Sequence, residues 1–145
     1  VLTILVVDDE PDILTATRVM LTLSGFRVLV ARDGTEAFRI ASARFPHLIL
    51  TDWMMPHMDG IELCRQLRKY FALGQIKVVL TSSANRPGLH PPLWDEFTRK
   101  PASAPELISL IHRLLHGQTP RLPANSTHIR IESFHWTPVS SLLPL

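Results

Sequence analysis

The chain has 145 residues, enough for one ordinary domain and too few for two. Hydrophobic residues make up 46% and charged residues 19%, a balance that can bury a core and excludes a disordered chain. The formal charge is only +2, with Lys and Arg scattered and never in a run, which argues against a nucleic-acid-binding surface; no apolar run approaches a membrane span, and no signal peptide precedes the first apolar run.

Residues 2–7 are a continuous apolar, β-branched run, as expected of a strand buried on both faces of a parallel sheet. The run stops at Asp8-Asp9-Glu10, and Pro11 and Asp12 suit the first turn of a helix. Ile13, Ala16, Thr17, Met20 and Leu21 follow at helical spacing, and Gly25 is the stop. Residues 26–31 read as a second strand, and Asp33-Gly34 opens a helix carrying Ala37, Phe38, Ile40 and Ala41. A third strand, 48–51, runs into Asp52 and a loop with Met54, Met55, Pro56, Met58 and Gly60, whose three methionines are expected to anchor it in the core. A helix over about 61–71 presents Ile61, Leu63, Cys64 and Leu67, and 76–81 is a fourth strand. This strict alternation of strand and helix implies right-handed crossovers and a parallel sheet covered on both faces.

The alternation then falters. Residues 82–93 hold Pro87, Gly88, Pro91 and Pro92, and no full helix runs through that spacing, so a short helical turn or an irregular loop is expected. A short fifth strand, 94–98, leads to Arg99-Lys100-Pro101, and a last helix from Ser103 or Ala104 turns Leu107, Ile108, Ile111, Leu114 and Leu115 inward before Gly117. Residues 118–145 form a tail with Pro120, Pro123, Pro138 and Pro144, in which 128–136 alternates as a short strand or hairpin would. The division is thus a domain over 1–117 and a tail over 118–145. The lone Cys64 cannot form an internal disulfide, which fits a reducing, cytoplasmic setting. His112 and His116, four apart, have no acidic third ligand at a useful spacing and read as helix-end residues.

In open parallel sheets, functional groups gather at the carboxyl ends of the strands. Here those ends carry Asp8 and Asp9, Asp52, Thr81 and Lys100. Three carboxylates in one crevice need cations; Lys100 is one, and the remaining deficit with all-oxygen ligands points to Mg²⁺. A metal, a lysine and a hydroxyl around an aspartate form a set for phosphoryl transfer, with Asp52 as nucleophile and Thr81 and Lys100 each holding a phosphoryl oxygen.

VVDDE, LILTDWMMPHMDG, VVLTSSA and FTRKP, each at the end of its own strand and in this order, resemble the receiver domain of two-component response regulators over residues 2–116. The resemblance implies a flavodoxin-like, doubly wound α/β fold with five parallel strands in the order 2-1-3-4-5, the order also found in the chemotaxis member of that family. The fourth helix of that fold is shortened or irregular here. The resemblance also implies that Asp52 is the phosphoacceptor, Asp9 a direct Mg²⁺ ligand, Asp8 a ligand mainly through water and the Met54 carbonyl a further one. Thr81 is then the switch hydroxyl, Lys100 the family's lysine and Phe97 the switch aromatic. Ile13 and Pro101 resemble the docking surface for a phosphodonor histidine domain, on a sensor histidine kinase or a histidine phosphotransfer protein. Pro101 matches a Lys-Pro peptide that is commonly cis in the family.

The implied activity is that of a phosphorylated signalling switch whose output is a changed protein-binding surface and which catalyses only its own phosphorylation and dephosphorylation. The same residues suit a receiver cut from a hybrid histidine kinase. A Mg²⁺-dependent phosphatase of the haloacid dehalogenase type would want a second aspartate where Met54 stands. A flavodoxin would not place Asp8-Asp9-Glu10 against a flavin phosphate. The proline-containing tail offers no helix-turn-helix, so direct DNA binding is not expected, while a tail pairing across a homodimer is a further expectation.

Overall fold

The computed structural model describes residues 1–88 and 91–116. The strands are β1 (Thr3–Val7), β2 (Arg27–Ala31), β3 (Leu48–Asp52), β4 (Lys77–Ser82) and β5 (Glu96–Arg99). All pair in parallel, in the order β2-β1-β3-β4-β5. The expected doubly wound topology is therefore present. β3 is buried along its whole length, and β1 from Ile4 onward, which explains why both read as unbroken apolar runs.

Helices α1 (Pro11–Leu23), α2 (Gly34–Arg44), α3 (Gly60–Leu67), the four-residue turn α4 (Phe71–Gly74) and α5 (Ala104–His116) complete the chain. They cover both faces of the sheet. Leu14 and Leu21 of α1 and Leu107, Ile111 and Leu115 of α5 form one core with Ile4, Val6, Leu48, Leu50 and Val79. Ala37 and Ala41 of α2 and Leu63, Cys64 and Leu67 of α3 form the other with Leu5, Val7, Ile49, Val78 and Leu80. Alternate residues of each strand point to opposite cores, as the two-residue period requires. Among the described residues no helix is long and apolar enough to cross a membrane.

Local chemistry sets where the helices begin. Asp33 caps α2, its side chain accepting the Glu36 N–H at 2.8 Å, and Asp59 caps α3 in the same way through Glu62, also at 2.8 Å. Gly25, with φ +97°, ends α1 in the left-handed conformation that glycine adopts without a Cβ penalty.

Three expectations need correction. The α1 face turned inward is led by Leu14 and Leu21; Ala16 is exposed, because the helix is rotated so that Ile13, Thr17 and Met20 lie only half-buried at its edge. The helix expected over 61–71 ends at Leu67, since Arg68 folds its side chain inward onto the carbonyls of Gly74 and Ile76 and turns the chain. The crossover between β4 and β5 is as expected: among its described residues no helix occurs. β5 starts two residues later than expected, because Trp94, 3% exposed, is drawn into the core shared with α2 and α3, and Asp95 bonds the β4 edge with its side chain. The tail over 118–145, its expected strand or hairpin at 128–136 and the homodimer built on it lie outside the described residues.

The loop after β3 is held by close backbone contact. The Gly60 N–H donates to the Trp53 carbonyl at 2.8 Å, and a Cβ on Gly60 would press on the Asp52 carbonyl oxygen and lie 2.8 Å from Leu80 Cδ1. Neither backbone nor a fully buried leucine can yield cheaply, so Gly60→Ala should destabilise the fold by about 2–3 kcal/mol. Urea denaturation of the two proteins measures this directly.

Candidate functional site

The parallel sheet delivers Asp8 from the end of β1, Asp52 from β3, Thr81 from β4 and Lys100 from the residue after β5 to one edge. Pairing of β3 with β4 sets Asp52 beside Thr81, and pairing of β4 with β5 sets Thr81 beside Thr98. The strand ends, and not any local motif, bring these residues together from positions far apart in the chain.

One carboxylate oxygen from each of Asp8, Asp9 and Asp52 lies within 4.8 Å of the others. Asp8 and Asp52 are buried while Asp9 is exposed. Lys100 is the counter-charge in their midst: its Nζ donates to Asp8 Oδ2 at 2.9 Å and stands 3.4 Å from Asp52 Oδ1. The other oxygen of Asp8 accepts the Glu10 N–H at 3.0 Å, which orients the carboxylate. Asp8 is thus committed to Lys100 and to its own loop, and Asp9 offers the accessible oxygens.

Burial pushes the Asp52 carboxyl above its ordinary value; Lys100 opposes this, and the charges of Asp8 and Asp9 add to it. At Lys100, burial acts to lower the ammonium, but the hydrogen bond to Asp8 and the charges of Asp52 and Asp8 outweigh it and the net shift is upward. The clustered carboxylates thus remain short of positive charge after Lys100 has been counted. Three hard oxygen donors on one side, with no sulfur or imidazole among them, suit a small divalent cation such as Mg²⁺.

The Thr81 hydroxyl, buried, donates to the Thr51 carbonyl at 3.3 Å. Phe97 is half-buried and packs at the border of the core that holds Trp94. Met54 is 60% exposed, and the loop is anchored instead by Met55 and Met58. That corrects the expectation that all three methionines are core. Ile13 and Pro101 face each other across a cleft of about 290 Å³ that opens beside Asp52, with Thr17, Met20 and Ala102 also in its walls. The Lys100–Pro101 peptide is cis. His112 and His116 stack on each other with ring centroids 5.7 Å apart and stand far from this edge in the pairing scheme, near the α5 C-terminus.

Three residues were not found from the sequence: Thr98, Arg68 and Asp95. Thr98 lines the cleft because β5 pairs in register with β4, which the sequence does not specify. Arg68 and Asp95 form a buried ion pair at 3.1 Å, and an arginine near a helix end ordinarily reads as solvated. The lone aspartate between Trp94 and β5 was the one available hint.

Residues 4–112 match the response regulator receiver domain family. Among curated proteins, the chain is 32% identical over 143 residues to the response regulator MprA of Mycobacterium bovis, covering 94% of this chain and 60% of that protein. It is 50% identical over 66 residues to the alkaline phosphatase synthesis transcriptional regulatory protein PhoP of Bacillus subtilis, covering 46% of this chain and 28% of that protein. The chain therefore spans less than two thirds of the length of these relatives. Among solved structures it resembles the receiver domain of a signal transduction histidine kinase from Syntrophus aciditrophicus, with a TM-score of 0.75 and 32% identity over 90% of this chain and 98% of that one. It also resembles the receiver domain of sensor histidine kinase PA1611 from Pseudomonas aeruginosa, crystallised with a magnesium ion in its active-site cleft, with a TM-score of 0.73 and 25% identity over 79% of this chain and 98% of that one.

The upward shift at Asp52 has a sign for stability. Its folded form binds a proton more tightly than its unfolded form, so ionisation destabilises the metal-free fold as pH rises from the ordinary value of 3.8 through the raised one. Asp52→Asn should therefore raise the metal-free melting temperature at pH 7 by several degrees, and the gain should vanish when both forms are protonated, near pH 3. Thermal melts in chelator at the two pH values test it.

Proposed function

The chain belongs to the response regulator receiver family, and from that premise we propose that Asp52 accepts a phosphoryl group from a phosphohistidine on a sensor histidine kinase or a histidine phosphotransfer domain. The observation that carries this reading is the cluster of Asp8, Asp9 and Asp52 around Lys100 at the carboxyl edge of the sheet. An Asp52 carboxylate oxygen attacks phosphorus, the O–P bond forms as the N–P bond breaks, and the departing imidazole keeps the electron pair and is protonated from water. Asp9 and Asp52, with Asp8 mainly through water and the Met54 carbonyl, would hold a Mg²⁺ ion, which when bound would supply positive charge to the phosphoryl oxygens. Lys100 stays on Asp8 and turns its remaining N–H bonds to a phosphoryl oxygen. Asp8, by holding Lys100, positions that charge. The chain modifies only itself in this scheme and turns over no separate substrate.

The Thr81 hydroxyl leaves the Thr51 carbonyl for a phosphoryl oxygen, and the space it vacates lets Phe97 move from half-buried to buried. That changes the face around β4 and β5 and is the output of the switch. The cleft between Ile13 and Pro101 receives the phosphodonor domain, whose histidine must come in line with Asp52. Direct contact with DNA is assigned to none of these residues, whereas PhoP is a transcriptional regulator by name. A cytoplasmic setting follows from the same reading and from the single cysteine. The receiver of the Syntrophus kinase, which this chain matches over nearly its full length, favours as second reading a receiver module from a hybrid histidine kinase; the chemistry at Asp52 is the same, and the phosphodonor then lies on the parent kinase.

Incubation with acetyl phosphate and Mg²⁺ should add one covalent phosphoryl group to the wild type, detected by intact mass, and none to Asp52→Asn. Lys100→Gln should slow the addition by about 10²-fold, as expected for loss of a charged donor to the transferring group. A wild type that gains no phosphate under these conditions would sink the proposal.

A further inference from the structure

Register in a parallel sheet is ordinarily fixed by burial, since a slip of one residue turns every inward side chain outward. β5 lacks that control. It has four residues, none of them buried, and Phe97 is its one large apolar side chain. Among the described residues no helix connects it to β4. Lys100, the residue that follows it, nevertheless sits within contact of both Asp8 and Asp52. A slip of one residue would carry it about 3.3 Å along the strand and break both contacts.

The groups that hold the register lie at the foot of the strand. The Asp95 N–H donates to the Val78 carbonyl at 2.8 Å, and the Val78 N–H donates to Asp95 Oδ2 at 2.8 Å. Asp95 thus takes both backbone groups of Val78, one step before the first paired residues, Val79 and Glu96. The same Oδ2 accepts from Arg68 Nη2 at 3.1 Å. Arg68 is 4% exposed; its Nε donates to the Leu93 carbonyl at 3.0 Å, and its Nη1 to the carbonyls of Ile76 at 2.9 Å and Gly74 at 3.2 Å. A guanidinium is a rigid planar fork, so bonds on three of its nitrogens fix its plane and with it the place where Asp95 is held. Trp94, buried beside it in sequence, anchors the same segment in the core.

We propose that the Arg68–Asp95 pair is a register clamp for β5, standing where a crossover helix would otherwise fix that strand, and that it positions Lys100 against Asp8 and Asp52. Arg68 and Asp95 are then positioning residues for phosphoryl transfer at Asp52, which rests on the function proposed above. The clamp acts at one end of β5 and is felt at the other, where the Lys100 N–H closes the ladder on the Ser82 carbonyl at 2.9 Å.

The test uses the full chain carrying Arg68→Lys, Asp95→Asn or Asp95→Ala, each alone and combined with Lys100→Gln, beside Lys100→Gln itself. Phosphorylation by acetyl phosphate and Mg²⁺ is followed, with rates scaled to the folded fraction. Asp95→Ala and Arg68→Lys should lower the maximal rate about tenfold while donor half-saturation stays within about twofold, and Asp95→Asn, which keeps an acceptor for the Val78 N–H, should recover part of the loss. Each double variant should be no slower than Lys100→Gln alone, because the clamp acts through that residue. Losses that add to those of Lys100→Gln, or unchanged rates, overturn the proposal. Amide hydrogen exchange separates it from the functional reading: in Asp95→Ala the amides of β5 and Lys100 should exchange about tenfold faster while those of β1 and β3 keep their rates. If the wild type takes up no phosphoryl group, the functional reading falls and the exchange pattern alone decides the clamp; acceleration spread evenly over the sheet, or none, overturns it.

Discussion

The bonds from Lys100 to Asp8 and Asp52 are the constraint on which the rest of the molecule depends. Three carboxylates within 4.8 Å of one another repel, and two of them are buried, where repulsion is least screened. One ammonium among them keeps the crevice tolerable and still leaves it short of positive charge. The shortage makes a cation welcome there, and it makes the exact seat of Lys100 matter more than any other side chain on that edge. Asp8 arrives from β1, Asp52 from β3 and Lys100 from β5, so the arrangement exists only if three strands hold their relative register.

The sheet holds two of those three strands in a different way from the third. β1 and β3 lie in the middle with burial on both faces, and any slip would cost them a whole row of core contacts. β5 lies at the edge, short and half-buried. The acidic half of the site is therefore built on strands held by burial on both faces, and the basic half on an edge strand that burial holds less. A static site would not need this division. It suits one in which a new charge at Asp52 must be felt by a neighbouring surface, because the strand that carries Lys100 also carries Phe97.

The sequence spoke plainly wherever burial and charge change places abruptly. The apolar runs before Asp8 and Asp52 marked buried strands whose last residue is a carboxylate, and the two-face burial of β1 and β3 is the physical reason for that pattern. Asp33 marked a helix start because capping is a local interaction. Legibility failed where a residue's role is set by partners distant in the chain. Arg68 falls inside the helix expected over 61–71 with nothing to mark it; its carbonyl partners at Gly74, Ile76 and Leu93 come together only after the fold has formed. Trp94 looked like the start of a strand, since a β-prone aromatic gives no sign of whether it joins a ladder or fills a core. Met54 looked like its two methionine neighbours, and only the course of the loop turned it outward while Met55 turned in.

Two of these residues, Arg68 and Trp94, bear on one region, the approach to β5. The segment between β4 and β5 is rich in proline and lacks a helix among its described residues, so the periodic signal that identifies the other crossovers is missing there. A helix would have fixed β5 through many weak contacts spread along its length. Here Trp94 and the Arg68–Asp95 pair take over with few contacts at a single point. Anchoring at one point constrains where a strand starts more than how its far end leans. Phe97 thus lies on a strand pinned at its foot by Asp95 and bounded at its tip, through Lys100, by the charges of the site itself.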